Sequence, residues 1–175
     1  MKDTIIGEFE ELNVVAEDNA KARSVYDKGR FGEPNRGKFR YSLAEALFLI
    51  EKGLMKVLDG RKKEISEASF IRKAKKLELK FLIKYGAYKD MRSRGYIVKT
   101  ALKFGADFRI YDRGVKPGED HAKWVLYAVH ESEGFSWQEF SAKNRVAHST
   151  KKNLLIAIID DEGDVTYYHI EWKRP

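Results

Sequence analysis

Apolar and polar positions change rhythm repeatedly along the chain, and each change predicts an element. Residues 4–16 (TIIGEFEELNVVA) read as two strands split by a turn. Residues 19–29 form a short helix, with Asn19 as N-cap and Gly29 near its end. A basic, glycine-bearing loop (RFGEPNRGK) leads to a short strand at 38–41. Ser42-Leu-Ala-Glu45 is a capping box for a helix over 43–52, which Gly53 stops. LMKVL and KKEIS read as further short strands. Ser66 opens a helix through about Lys76, and a longer one covers 78–93.

After Gly95 the rhythm turns to period two. Residues 96–102 and 103–111 predict an antiparallel pair. In the second strand Phe104, Ala106, Phe108 and Ile110 share one face; Lys103, Asp107, Arg109 and Tyr111 share the other. Residues 123–130 and 152–160 are apolar on both faces, as central strands are. Between them Ser136-Trp-Gln-Glu139 is a second capping box, for a helix to about His148. DDEGD makes a turn, and residues 165–173 return as its hairpin partner. The fold expected is α+β, in two small modules. Residues 1–84 form a structural domain with an antiparallel sheet and helices. Residues 85–175 form a second domain with a helix-flanked mixed sheet.

Composition narrows the chemistry. The 175 residues suffice to bury roughly 70% of the unfolded surface. With 43% apolar and 35% charged residues, the chain is globular rather than disordered. There are no cysteines, which excludes disulfides, thiolate zinc sites and cysteine nucleophiles. The first residues lack a signal-peptide pattern, and the longest apolar run, 154–159, is too short to span a bilayer. A cytoplasmic protein with no membrane association is expected. Net charge is +7 with a pI near 9.4, which fits a polyanionic partner and equally fits plain solubility. Four acids crowd into Asp160, Asp161, Glu162 and Asp164, an odd feature for a basic protein.

One set of residues carries more. Arg94-Gly95-Tyr96-x-Val98-Lys99 is followed by Lys103-Phe104-Gly105-x-Asp107-Phe108-x-x-Tyr111, then His121-x-Lys123, then Arg145 with Lys152 seven residues on. This combination resembles the archaeal tRNA-splicing endonuclease (tRNA-intron endonuclease) family, closely over about the last 90 residues. Ala101 stands where family members often carry glycine. The resemblance implies that residues 85–175 are the catalytic domain, restriction-endonuclease-like in fold, and that Tyr111 is the general base for the 2′-hydroxyl. His121 is then the general acid for the departing 5′-oxygen, and Lys152 stabilises the charged phosphorane. Products would be a 2′,3′-cyclic phosphate and a 5′-hydroxyl, with no metal or other cofactor. It further implies that Arg145 and Trp172 clamp a bulged base, at the active site of a partner subunit. The substrate would be precursor tRNA with a bulge–helix–bulge at the exon–intron junctions. Two cuts in one pseudo-symmetric RNA suit a symmetric oligomer. A homotetramer is expected, with the acidic tip at 160–164 docked in a basic pocket of a neighbour.

The chemistry is sound in its own right. Histidine, with a reference pKa of about 6.5, suits acid work near neutrality. Tyrosine, at about 10, needs nearby cations to serve as a base. Plainer readings stay open: a tyrosine at a strand end as a rim residue, Arg145 as an exposed helix residue, Trp172 as a cap on the sheet edge. His130, His148 and His169 read as structural. A metal-dependent nuclease of restriction type is the alternative enzyme. It wants an acid two residues before a lysine, where this chain has His121-Ala-Lys123. A non-catalytic RNA-binding subunit is the alternative from another class.

Overall fold

The structure is a computed structural model that describes residues 4–175. Contacts divide the chain into two compact units, Met1–Phe81 and Leu82–Pro175. Among the described residues no helix is long and apolar enough to cross a membrane.

The first unit contains β1 (Ile5–Glu10), β2 (Asn13–Glu17), α1 (Ala20–Gly29), β3 (Glu33–Asn35), β4 (Lys38–Ser42), α2 (Leu43–Glu51), β5 (Met55–Leu58) and α3 (Glu67–Leu77). Its sheet runs β3-β4-β2-β1-β5. The expected sheet is antiparallel; the observed one is mixed, because β5 returns alongside β1 in parallel after α2. Helix α2 is buried from Leu43 through Leu49, lying against β2, β4, β5 and α3, as an all-round apolar helix must. Its capping box forms as expected, with Ser42 Oγ accepting from Glu45 N and the Glu45 carboxylate accepting from Ser42 N. The other carboxylate oxygen accepts from Gly32 N, so this buried acid also ties down the preceding loop. Gly32 has φ +76°, and a Cβ there would lie 2.7 Å from the Tyr41 ring. The basic loop hides strand β3, which pairs with β4 across a two-residue turn at Arg36-Gly37, both with positive φ. Pro34 is tolerated because β3 is an edge strand. The strand expected at KKEIS reduces to a single bridge, Leu58 to Glu64.

The second unit holds α4 (Phe81–Ser93), β6 (Ile97–Thr100), β7 (Phe108–Tyr111), β8 (Trp124–His130), α5 (Trp137–Ser149), β9 (Asn153–Ile159) and β10 (Val165–Ile170). The sheet order is β10-β9-β8-β7-β6, with β8 and β9 parallel and the other pairs antiparallel. Helix α5 is the crossover that a parallel pair requires. Val125, Tyr127, Leu154 and Ile156 face Ala147 of α5. On the opposite face the Tyr88 ring of α4 lies 5.6 Å from that of Phe108, and Gly86 approaches Ile159. The central strands are therefore covered on both faces, which explains their unbroken apolar runs. The expected strand 103–111 forms only at its end. Residues Leu102–Phe104 make a single 3-10 turn closed by Gly105 at φ +68°.

Candidate active site

Strand register assembles the site. Ile110 of β7 pairs with Trp124 of β8, which pairs with Asn153 of β9. Lys123 N donates to Ile110 O, and Asn153 N donates to Lys123 O, both at 2.9 Å. One step beyond that row come Tyr111, Lys123 and Lys152, on three adjacent strand ends. At about 4.8 Å per strand, the backbones of Tyr111 and Lys152 lie about 10 Å apart, within reach of two long side chains pointing the same way. Side chains alternate, so Tyr111, with Arg109, and Lys152, with Leu154, face the α5 side of the sheet. His121 stands two residues before Lys123, in the loop that closes on this same sheet end.

Each group has its own setting. Tyr111 is only 5% exposed, so the face read as polar from the sequence is closed over its ring. The Arg109 guanidinium lies 5.9 Å from the centre of that ring. Lys152 Nζ donates to Thr150 O at 3.0 Å and stands 5.3 Å from the Phe104 ring. Burial, and then the charge of Arg109, push the Lys152 ammonium below its ordinary pKa. His121 is exposed; its backbone N donates to Asp120 Oδ1, and its ring makes no hydrogen bond among the described residues. Lys123 is occupied elsewhere. It donates to Asp112 at 2.9 Å, and that bond holds the Asp112 carboxyl below its usual value.

Beside Lys152 lies a cavity of about 260 Å³, lined by Asn144, His148, Asn153, Glu171 and Trp172 among others. Trp172 follows β10, is 58% exposed, and rests on His148 with ring centres 4.6 Å apart. Arg145 is exposed on α5, three residues before His148. Within one chain, then, Trp172 meets His148 rather than Arg145. The sequence reading missed Arg109 and His148. Alternation with Tyr111 along β7 was a usable signal for Arg109; nothing local marked His148.

The acidic tip is a tight turn. Asp160 Oδ1 accepts from Glu162 N and Asp164 N, and Asp161 pairs with His130 at 3.0 Å. Among the described residues, His130, Glu131 and Asp161 are the one group whose atoms are spaced for a metal. They lie at the far end of β8, about 20 Å from Lys123 at the rise of a strand.

Comparison with known proteins agrees over both units. Residues 5–71 match the tRNA intron endonuclease N-terminal domain, and residues 81–167 match the tRNA intron endonuclease catalytic C-terminal domain. The tRNA-splicing endonuclease of Thermococcus onnurineus is 42% identical over 174 residues, 99% of each chain. That of Nanoarchaeum equitans is 46% identical over 139 residues, covering 76% of this chain and 88% of its own. That of Methanothermobacter thermautotrophicus is 40% identical over 154 residues, 88% and 89% of the two chains. The chain belongs to the tRNA intron endonuclease family. It carries that family's catalytic domain and is an endonuclease.

Proposed function

We propose that this protein cuts precursor tRNA at bulge–helix–bulge exon–intron junctions, without a metal, through attack by the RNA's own 2′-hydroxyl. Tyr111 takes the 2′-hydroxyl proton. The 2′-oxygen then bonds to phosphorus as the bond to the 5′-oxygen breaks, and His121 gives that oxygen its proton. Lys152 sits against the phosphorane, where a fixed cation in a partly buried site acts more strongly than in water. The fragments carry a 2′,3′-cyclic phosphate and a 5′-hydroxyl. Supporting this reading above all is the row of strand ends that brings Tyr111 and Lys152 to one side of one sheet, beside the loop of His121. Incubating the chain with a bulge–helix–bulge RNA in chelator, followed by end-group analysis, tests it. Cyclic phosphate ends are expected; cleavage that depends on added divalent metal, or leaves 5′-phosphates, rejects it.

Two features point to assembly. Arg145 and Trp172 are exposed on one rim, available to grip a bulged base at a partner's active site. The acidic tip at Asp160, Asp161, Glu162 and Asp164 suits a basic pocket on a neighbour, giving a homotetramer in the cytoplasm. In it the first domain (1–84) serves as scaffold and the second (85–175) as catalyst. Changing the four acids to Asn or Gln is expected to halve the particle mass by light scattering; an unchanged mass rejects the docking.

A further inference from the structure

A second concavity lies at the same sheet end, on the opposite, α4 face. It encloses about 240 Å³ and is lined by Tyr96, Trp124, Tyr167, His169, Arg94 and Arg113 among others. The rings form an edge-to-face series. Tyr96 and Trp124 are 6.1 Å apart at 82°, and Trp124 and His169 are 6.3 Å apart at 83°. Cations cap the rings: Arg113 stands 4.9 Å from Tyr96, Lys123 4.6 Å from Trp124, and Arg94 5.9 Å from Tyr167.

The cations are not equivalent. Arg94 is paired with Asp90, and Lys123 with Asp112. Arg113 makes no ion pair among the described residues and is exposed. It follows Tyr111 by two residues, so the guanidinium of this groove that lacks an ion pair, though it lies near the Asp112 charge, is tethered to the strand end that carries the catalytic phenol. The Trp124 indole N–H is shielded and lacks an acceptor, so the ring offers this groove a face rather than a hydrogen bond. Pockets for drug-sized ligands measure roughly 300–1,000 Å³, so this smaller groove suits one planar ring system.

We infer that this groove is a second RNA subsite, taking the base of one unpaired nucleotide near the cut, with the adjoining phosphate on Arg113. Aromatic rings with a free guanidinium are the general means of holding single-stranded bases. A base paired in an A-form duplex is out of reach, so the groove selects a bulged nucleotide. The inference rests on the function proposed above. It differs from the Arg145–Trp172 grip in acting within the cutting chain and on the other face of the sheet.

The test measures binding, which needs no cleavage. In a Tyr111→Phe background, affinity for a bulge–helix–bulge RNA is compared for Tyr96→Leu, Tyr96→Phe and Arg113→Gln. Each is also tested on RNAs with one abasic site at successive bulge positions. Tyr96→Leu and Arg113→Gln each weaken binding about tenfold, while Tyr96→Phe, which keeps the ring, restores it. At one bulge position the abasic RNA loses affinity for the parent and nothing further for Tyr96→Leu. Affinities within twofold of the parent for both Tyr96→Leu and Arg113→Gln overturn the subsite, as do abasic penalties that add in full with Tyr96→Leu at every position. Arg113 is an exposed loop residue, so its loss leaves the fold intact. Cleavage by the unmodified chain is scored separately. A chain that cuts nothing, while these variants lose affinity, keeps the subsite and discards the chemistry.

Discussion

The two units solve the same packing problem and differ in what they leave over. Each is a five-stranded mixed sheet with helices against it and one parallel pair. In the first unit that pair, β1 with β5, sits at a sheet edge, and Glu45, the one buried acid among the described residues, is spent on a helix cap and a loop. In the second unit the pair, β8 with β9, is central. Its two strands start at the same sheet end, and β7, running antiparallel, finishes there. Three chain segments that carry Tyr111, His121 and Lys152 thus meet at one end of one sheet. A central parallel pair joined by a helix collects strand ends, whereas a hairpin-built sheet disperses them.

That contrast predicts effects of different kind. Tyr111→Phe, His121→Ala and Lys152→Ala should each lower single-turnover cleavage about 10²–10⁴-fold while RNA binding stays near the parent's. Binding that falls in step with cleavage would make these residues contacts rather than catalysts. In the first unit Leu47, fully buried, should behave oppositely. Leu47→Ala removes about 2–5 kcal/mol of stability, read by denaturant unfolding, yet leaves cleavage per folded molecule unchanged. Loss of cleavage in the folded variant would mean that the first unit shapes the chemistry.

The smallest effect crosses the comparison. Folding lowers the Lys152 pKa from 10.5, chiefly by burial, so the folded state disfavours the charged form. Its cost is full below the folded value and vanishes as pH rises toward 10.5, because in that window the unfolded chain binds more protons. Lys152→Met should therefore raise the melting temperature by about 2 °C at neutral pH while abolishing cleavage, and the gain should shrink near the ordinary lysine value. A gain that grows with pH contradicts the burial account.

Legibility followed locality. Both capping boxes, at Ser42 and Ser136, form as read, because every participant lies within four residues. Strands β8 and β9 were plain from their apolar runs. Two errors came from turns. Pro34 masked an edge strand whose partner makes it tolerable, and the stretch before Phe108 kept an alternating pattern while Gly105 bent the chain. The burial of Tyr111 was unreadable, since alternation assigns a face but not what covers it. The motif residues were legible through family resemblance. That their backbones share one sheet end was not, because it depends on the register between β7, β8 and β9. Trp172 was picked out, but its contact with His148 joins a helix end to a segment beyond the last strand, and no spacing rule reaches across that gap.

In the proposed mechanism the ribose oxygen beside the cut is the nucleophile. A bulge–helix–bulge RNA with a single 2′-deoxyribose at one junction tests it directly, in chelator, with the second junction unmodified. The deoxy junction is expected to stay intact while the other is cut to a 2′,3′-cyclic phosphate. Cleavage of the deoxy junction at the same rate as its unmodified counterpart would contradict it.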